Sequence, residues 1–198
     1  MSQADALRAA IRDFDEVIAL ERILLRRMEP ADVDALHPLL ADWDVVRWLA
    51  RPAFPVAKAR TAAFCTEAAT RQAVDGELDL AIVGEAGPIG AITWRLAGPS
   101  PVQRETGSSI GFWLGRPYWG QGVMTAAARA LIGRVFALTD VDAVYSGYFD
   151  GNLPSARVQA KLGFAVDGRA MIWCNPHQAE RLHINTRLAR ANFATGQP

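Results

Sequence analysis

The stretch GRPYWGQGVMTAAARALI, residues 115–132, decides the fold, because a glycine-rich turn leads directly into a helical pattern. Glycine occupies positions 115, 120 and 122, and the helical pattern starts at Val123. The free N–H groups at the start of such a helix, from about Gly120 to Met124, carry roughly half a positive charge. Because glycine lets this backbone approach a phosphate closely, the stretch predicts a pyrophosphate site made by main-chain amides. Glycines required only for a tight turn would produce the same pattern.

The spacing of these glycines argues against two common phosphate-binding loops. A P-loop has lysine and then Ser/Thr after its second glycine, where this chain has Gln121 and Gly122. A dinucleotide-binding loop has a third glycine where this chain has Thr125. We therefore expect neither a P-loop NTPase nor a Rossmann-type dehydrogenase.

The amino-acid composition limits the classes of protein to which this chain can belong. The chain has 198 residues, of which 51% are hydrophobic, so we expect one globular domain with a full apolar core. Lys plus Arg equal Asp plus Glu at 21 each, which argues against nucleic acid or a membrane surface as a direct partner. Cys65 and Cys174 lack metal-ligand spacing, so we expect two buried thiols and no metal site. Residues 1–20 lack a secretory apolar run, and we expect a cytoplasmic location.

Hydrophobic periodicity predicts an α+β sandwich around a mixed sheet. Leu7, Ile11, Phe14 and Ile18 recur at helical spacing, so the leader should pack on the domain or on a partner chain. The predicted strands cover 22–28, 78–84, 88–96, 108–114, 142–149, 164–174 and 180–190. Helices are predicted at 29–43, at 56–74 with Phe64 and Val74 on one face, from Val123 onward, and at 152–163. The apolar stripe of the long helix is predicted at 123, 127, 130, 131, 135 and 138.

Two linked motifs resemble the GNAT N-acetyltransferases, in the branch of the RimJ/RimL ribosomal-protein N-terminal acetyltransferases. They are IGFWLGRPYWGQGVMTAAARALIGRVF, residues 110–136, and NLPSARVQAKLGF, residues 152–164. The resemblance implies a mixed, mostly antiparallel central sheet of about six to seven strands, with splayed central parallel strands and flanking helices. It also implies an N-terminal helical extension over 1–20, one acetyltransferase domain over 21–190 and a tail over 191–198.

The resemblance further implies acetyl-CoA as the acyl donor. The strand before the turn would pair its backbone with the pantetheine arm through Phe112, Trp113 and Leu114. The pyrophosphate would be held by the segment Trp119, Gly120, Gln121, Gly122, Val123, Met124 and Thr125. Asn152 and Ser155 would contact the cofactor near its sulfur, and Lys161 matches the lysine of the KLGF ending. The alternatives are that Asn152 only caps its helix and that Lys161 only faces solvent.

The implied chemistry is direct attack of an amine on the thioester in a ternary complex. Ser155 is the candidate to protonate the departing thiolate, or else satisfies helix N–H groups. The general base does not follow from the motif, because Ser109 occupies the position where this branch often has an acid. Glu105 and His183 are the substitutes that we consider.

We therefore expect an acetyl-CoA-dependent N-acetyltransferase that acts on a protein N-terminus or a small-molecule amine, and that has a possible homodimeric form. The alternative is a catalytically idle domain that binds coenzyme A as a sensor or scaffold. Candidates for the acceptor pocket are Trp43, Trp48, Phe54, Trp94, Trp173 and His183.

Overall fold

The structure, a computed structural model, describes residues 2–97 and 107–193 and centres on one eight-stranded sheet. The strands are β1 Ile18–Ala19, β2 Leu24–Arg27, β3 Glu77–Gly84, β4 Gly87–Ala97, β5 Gly107–Leu114, β6 Ala143–Phe149, β7 Ala165–Cys174 and β8 Ala179–Ala189. Their order in the sheet is β1-β2-β3-β4-β5-β6-β8-β7. The helices are α1 Gln3–Arg12, α2 Val33–Leu40, α3 Trp43–Val46, α4 Lys58–Thr66, α5 Ala68–Thr70, α6 Val123–Leu138 and α7 Leu153–Leu162. The α+β class and the mixed, mostly antiparallel sheet are thus confirmed.

All seven predicted strands are present, and the eighth lies inside the leader that was predicted as helical. After α1 ends, the chain turns back, and Ile18 pairs with Leu25 of β2 in antiparallel register. Leu7 and Ile11 of α1 lie in the main apolar core, so the leader packs on its own domain. The side-chain amide of Gln72 fixes this arrangement by donating to the carbonyl of Ile11 at 2.9 Å. The predicted domain boundaries themselves stay predictions.

Alternation along the strands gives the sheet two packed faces. Leu80 and Ile92 lie in the larger core, which also holds α1 and α6. Ala81 and Ala91 face the other way, toward Leu36 of α2 and the α4–α5 region. Each fully buried leucine or isoleucine contributes about 1.5–3 kcal/mol, so the larger core supplies most of the stabilisation.

Two predicted helical faces are rotated in the structure. Val74 is 65% exposed, because residues Arg71–Asp75 form a π-helical turn that shifts the helical register. In α6 the buried stripe is Met124, Ala127, Ala128, Leu131, Ile132, Val135 and Phe136. Leu138, predicted on that stripe, is 43% exposed because it lies in the last turn beyond the sheet. The two cysteines are buried and free, as predicted, and burial raises the pKa of Cys65 to about 11.

The central parallel strands diverge, and this positions the site. β5 and β6 pair in parallel at two residue pairs, Ser108 with Val144 and Ser109 with Tyr145. Beyond these pairs, Ser146 Oγ donates to the Ile110 carbonyl at 3.1 Å. The remaining residues of both strands separate, so the sheet opens toward the carboxyl ends of β5 and β6. The predicted splay is therefore present.

Candidate active site

A cleft of about 1100 Å³ occupies the opening between β5 and β6. One wall is the end of β5 with the start of α6, and the opposite wall is the end of β6 with the start of α7. The remaining wall comes from the segment around Trp48 and from the polar faces of β3 and β4. The volume suffices for an extended ligand together with a second reactant.

The start of α6 presents its backbone to this cleft. Gly120 and Gly122 have φ of +77° and +78°, and no side chain caps the helix. A Cβ atom at either glycine would meet no protein atom within 4 Å. A Cβ at Gly115 would instead lie 2.9 Å from Leu39, so Gly115 serves packing. The open glycines and uncapped N–H groups fit an anionic ligand held by the main chain.

Most of the predicted cofactor residues, those between Phe112 and Thr125, lie along the wall formed by the end of β5 and the start of α6. Gln121 differs, because its side chain turns back and donates to the Pro117 carbonyl at 3.0 Å. Trp119 is fixed by a 2.6 Å hydrogen bond from its indole N–H to the Leu114 carbonyl. The predicted residues that line the cleft are Phe112, Trp113, Leu114, Trp119, Gly120, Gly122, Val123, Met124, Thr125, Asn152, Ser155 and Lys161.

Asn152 and Ser155 face the cleft from the first turn of α7. Asn152 Oδ1 accepts from the Ser155 N–H at 3.3 Å, so Asn152 does cap its helix while it lines the cleft. Gln159 Nε2 donates to Ser155 Oγ at 3.2 Å and to the Gly147 carbonyl at 3.1 Å. Because Ser155 Oγ already accepts from Gln159, its own hydroxyl hydrogen is left to donate elsewhere.

His183 on β8 leans across β6 toward the opening. A Cβ at Gly147 would lie 2.3 Å from His183 Cε1, so only glycine there leaves room for the imidazole. Asn185 Oδ1 lies 2.8 Å from His183 Nδ1, which places the ring proton on Nδ1 and leaves Nε2 as an acceptor. Burial lowers the pKa of His183, and the Asn185 hydrogen bond opposes this shift only in part. The neutral imidazole that results can accept a proton near pH 7.

Only some of the remaining predicted residues, which are the second candidate base and the aromatic candidates for the acceptor pocket, line the cleft. Ser109 lies in the cleft at the position expected for an acid, and Glu105 lies outside the described residues. Trp48 lines the cleft, as His183 does. Trp94 does not, because it is fully buried and donates its indole N–H to Ser108 Oγ at 2.7 Å. Trp43, Phe54 and Trp173 are partly exposed outside the residues that line the cleft.

Three residues that support the site were missed by sequence reasoning; Gly147 and Asn185 line the cleft, and Gln159 is buried behind it. Asn185 and Gly147 support His183, and Gln159 supports Ser155. Asn185 follows His183 by two residues on a strand, so the period of alternation could have placed both on one face. No comparable signal in the sequence connects Gly147 with His183, because their proximity depends on the pairing of β6 with β8.

Comparison with known proteins identifies the family of this chain. The family model for the acetyltransferase (GNAT) domain matches residues 22–165, so the chain belongs to the GNAT acetyltransferase family. A curated relative is the uncharacterized N-acetyltransferase p20 of Bacillus licheniformis, 25% identical over 160 residues, which are 77% of this chain and 84% of that protein. Membership identifies the chain as a CoA-binding acetyltransferase.

Solved structures share the fold. RimJ of Mycobacterium smegmatis in complex with CoA-disulfide aligns with a TM-score of 0.77 at 18% identity, over 92% of this chain and 91% of that one. The ribosomal-protein-S5-alanine acetyltransferase of Vibrio fischeri aligns with a TM-score of 0.72 at 18% identity, over 91% of this chain and 100% of that one. At this identity the two structures show that the fold is shared. Within residues 2–97 and 107–193, no helix is long and apolar enough to cross a membrane.

Proposed function

We propose that this protein transfers the acetyl group of acetyl-CoA to a primary amine by direct attack in a ternary complex. The acceptor class is a protein N-terminus or a small-molecule amine. The cytoplasmic location and the homodimer stay predictions.

The observation that carries the proposal is the uncapped start of α6 beside the splayed strands. The N–H groups from Gly120 to Met124 would hold the diphosphate, since open glycines let the main chain approach it. The free edge of β5 from Phe112 to Leu114 would hydrogen-bond the amides of the pantetheine arm. This arrangement would direct the thioester toward Asn152 and Ser155 on α7.

Two side chains would then remove a proton from the amine and supply one to the departing thiolate. Acetyl-CoA supplies an activated acetyl group, whose carbon bonds to the amine nitrogen as its bond to sulfur breaks. An amine with a pKa of about 10.4 is mostly protonated at neutral pH, so a base is required. His183 Nε2 would accept that proton before the attack. As the C–S bond breaks, the Ser155 hydroxyl would donate its proton to the departing thiolate and take up the second proton of the amine nitrogen, so that CoA leaves as a thiol and Ser155 stays neutral.

One observation favours the alternative, a domain that binds coenzyme A without turnover. Ser109, a residue that cannot serve as a carboxylate base, lies in the cleft at the position where an acid is expected. Positioning of two reactants alone supplies roughly 7–11 kcal/mol, whereas a general base supplies about 10²- to 10⁴-fold. We therefore expect transfer to persist without an acid at Ser109.

The test is the release of free thiol from acetyl-CoA with a panel of peptides and small amines. We expect amine-dependent thiol release that falls in the His183→Gln variant, with CoA affinity unchanged by calorimetry. Tight CoA binding without thiol release across a broad panel would contradict the proposal and favour the idle domain.

A further inference from the structure

The polar floor of the cleft holds an ion-pair cluster of Glu77 on β3, Arg95 on β4 and Arg51 from the segment between α3 and α4. Arg95 Nη2 lies 3.1 Å from Glu77 Oε1, and Arg51 Nη1 lies 3.0 Å from the same oxygen. Two guanidinium charges against one carboxylate leave one positive charge in this cluster. All three residues line the cleft.

Arg95 is less fully hydrogen-bonded than Arg71, the other arginine of this floor whose side chain is mostly buried. Its Nε is buried and has no hydrogen-bond partner in the described part of the chain. Burial lowers the pKa of Arg95, and Glu77 compensates for this shift only in part. Arg71, by contrast, donates from both Nε and Nη2 to Asp79 Oδ2 and also contacts the Phe64 carbonyl. Arg71 is thus held by structural contacts, whereas the Arg95 side chain is 30% exposed on the cleft and can direct its accessible N–H groups to a further anion.

The position of Arg95 places that capacity beside β5, on the face of the sheet that also carries His183. Its Nη2 lies 3.5 Å from the site of a Cβ at Gly111, so the guanidinium covers β5 immediately before Phe112. Arg95 pairs with Ser109, and Ser109 pairs with Tyr145, so strand alternation puts Arg95 and His183 on the same face of the sheet. A cation therefore faces the opening from the β4 side, and the imidazole faces it from the β6 side.

We propose that Arg95, assisted by Arg51, binds a carboxylate or phosphate group of the acceptor, so that preferred acceptors carry an anionic group close to the reacting amine. This inference rests on the proposed acetyl transfer. A planar guanidinium presents paired N–H donors that match either oxyanion, and the anion would share the two arginines with Glu77. Acceptors without such an anion would leave the positive charge of Arg95 only partly compensated by Glu77.

Matched acceptors test this specificity. β-Alanine is compared with β-alaninamide, and phosphoethanolamine with ethanolamine, by kcat/KM for thiol release. We expect the anionic member of at least one pair to be preferred by about 10- to 150-fold, the range for a hydrogen bond to a charged group. The pair that shows the preference identifies the carboxylate or the phosphate as the recognised group.

Two variants distinguish direct contact between Arg95 and the acceptor from a general electrostatic effect of the arginines around the cleft. Arg95→Gln should remove the preference by lowering kcat/KM for the anionic acceptor only. Arg60→Gln, at an exposed position on the same cleft, should keep the preference. Equal rates for both members of each pair would overturn the inference. Equal losses on charged and neutral acceptors in Arg95→Gln, or loss of the preference in Arg60→Gln, would also overturn it.

Binding without turnover distinguishes this inference from the proposed function. β-Alanine, β-alaninamide, phosphoethanolamine and ethanolamine are titrated by calorimetry into the protein saturated with CoA, which cannot transfer an acetyl group. Arg95-dependent binding of an anionic member, with no thiol release from acetyl-CoA, would refute acetyl transfer and leave the anion site standing. Acetyl transfer without any charge preference would refute the anion site alone.

Discussion

Replacing Gly122 by alanine separates the cost of folding from the cost of binding coenzyme A. Gly122 has φ of +78°, where an alanine is strained by about 1–2 kcal/mol. For a domain of this size, we expect the melting temperature to fall by about 2–8 °C. The new methyl group meets no protein atom within 4 Å, so it projects into the space that we assign to the diphosphate. Losing a close amide–phosphate hydrogen bond costs about 1.5–3 kcal/mol, which weakens CoA binding about 10- to 150-fold.

Gly87 provides the matched control. It is the first residue of β4, directly after the β3–β4 turn, with φ of +115°, and a Cβ there also meets no atom within 4 Å. Gly87→Ala should therefore lower the melting temperature but leave the CoA dissociation constant unchanged by calorimetry. If Gly122→Ala and Gly87→Ala lower stability alike and both bind CoA normally, the α6 start does not hold the diphosphate.

Further predictions concern the proton-transfer residues and the buried ion pair. His183→Gln should lower kcat by about 10²- to 10⁴-fold. In the unmodified protein, the neutral imidazole is the active form and burial lowers its pKa below 6.5, so kcat/KM should hold at pH 7 and fall only as the pH drops through that lower value. Gly147→Ala would place a Cβ 2.3 Å from His183 Cε1 and 2.7 Å from the Ile184 carbonyl oxygen, so it should displace the imidazole together with the adjoining backbone of β8 and lower kcat; full activity would contradict His183 as the base. Ser155→Ala should lower kcat by about 10²-fold with little change in CoA affinity, and an unchanged kcat would leave Ser155 a purely structural role. Asp79→Ala leaves Arg71 without its buried carboxylate, so we expect a loss of about 3–5 kcal/mol in chemical denaturation, and a loss under 1 kcal/mol would contradict this role.

Local signals explain why the geometry of the α6 and α7 starts could be predicted. The glycines of the turn, the first residues of α6 and the cap at Asn152 all act within a few positions along the chain. Their conformations follow from backbone preferences, so a sequence pattern reports them directly. The resemblance to GNAT enzymes then connected the two motifs across space.

The acceptor half could not be predicted in the same way, because it depends on strand pairing. Arg95 reaches Glu77 since β3 and β4 are in direct register, and His183 reaches the opening since β8 lies beside β6. Trp94 was expected near the acceptor, yet strand alternation turns it into the core. The π-helical turn after α5 likewise rotates Val74 outward, and no residue type in that segment signals such a turn.

The most direct test of the central claim is a crystal structure of the protein with coenzyme A. We expect the diphosphate within hydrogen-bond distance of the backbone nitrogens between Gly120 and Met124. The pantetheine arm should lie along Phe112 to Leu114, with its sulfur near Ser155. Coenzyme A bound elsewhere, with its diphosphate away from the start of α6, would contradict the assignment of the site.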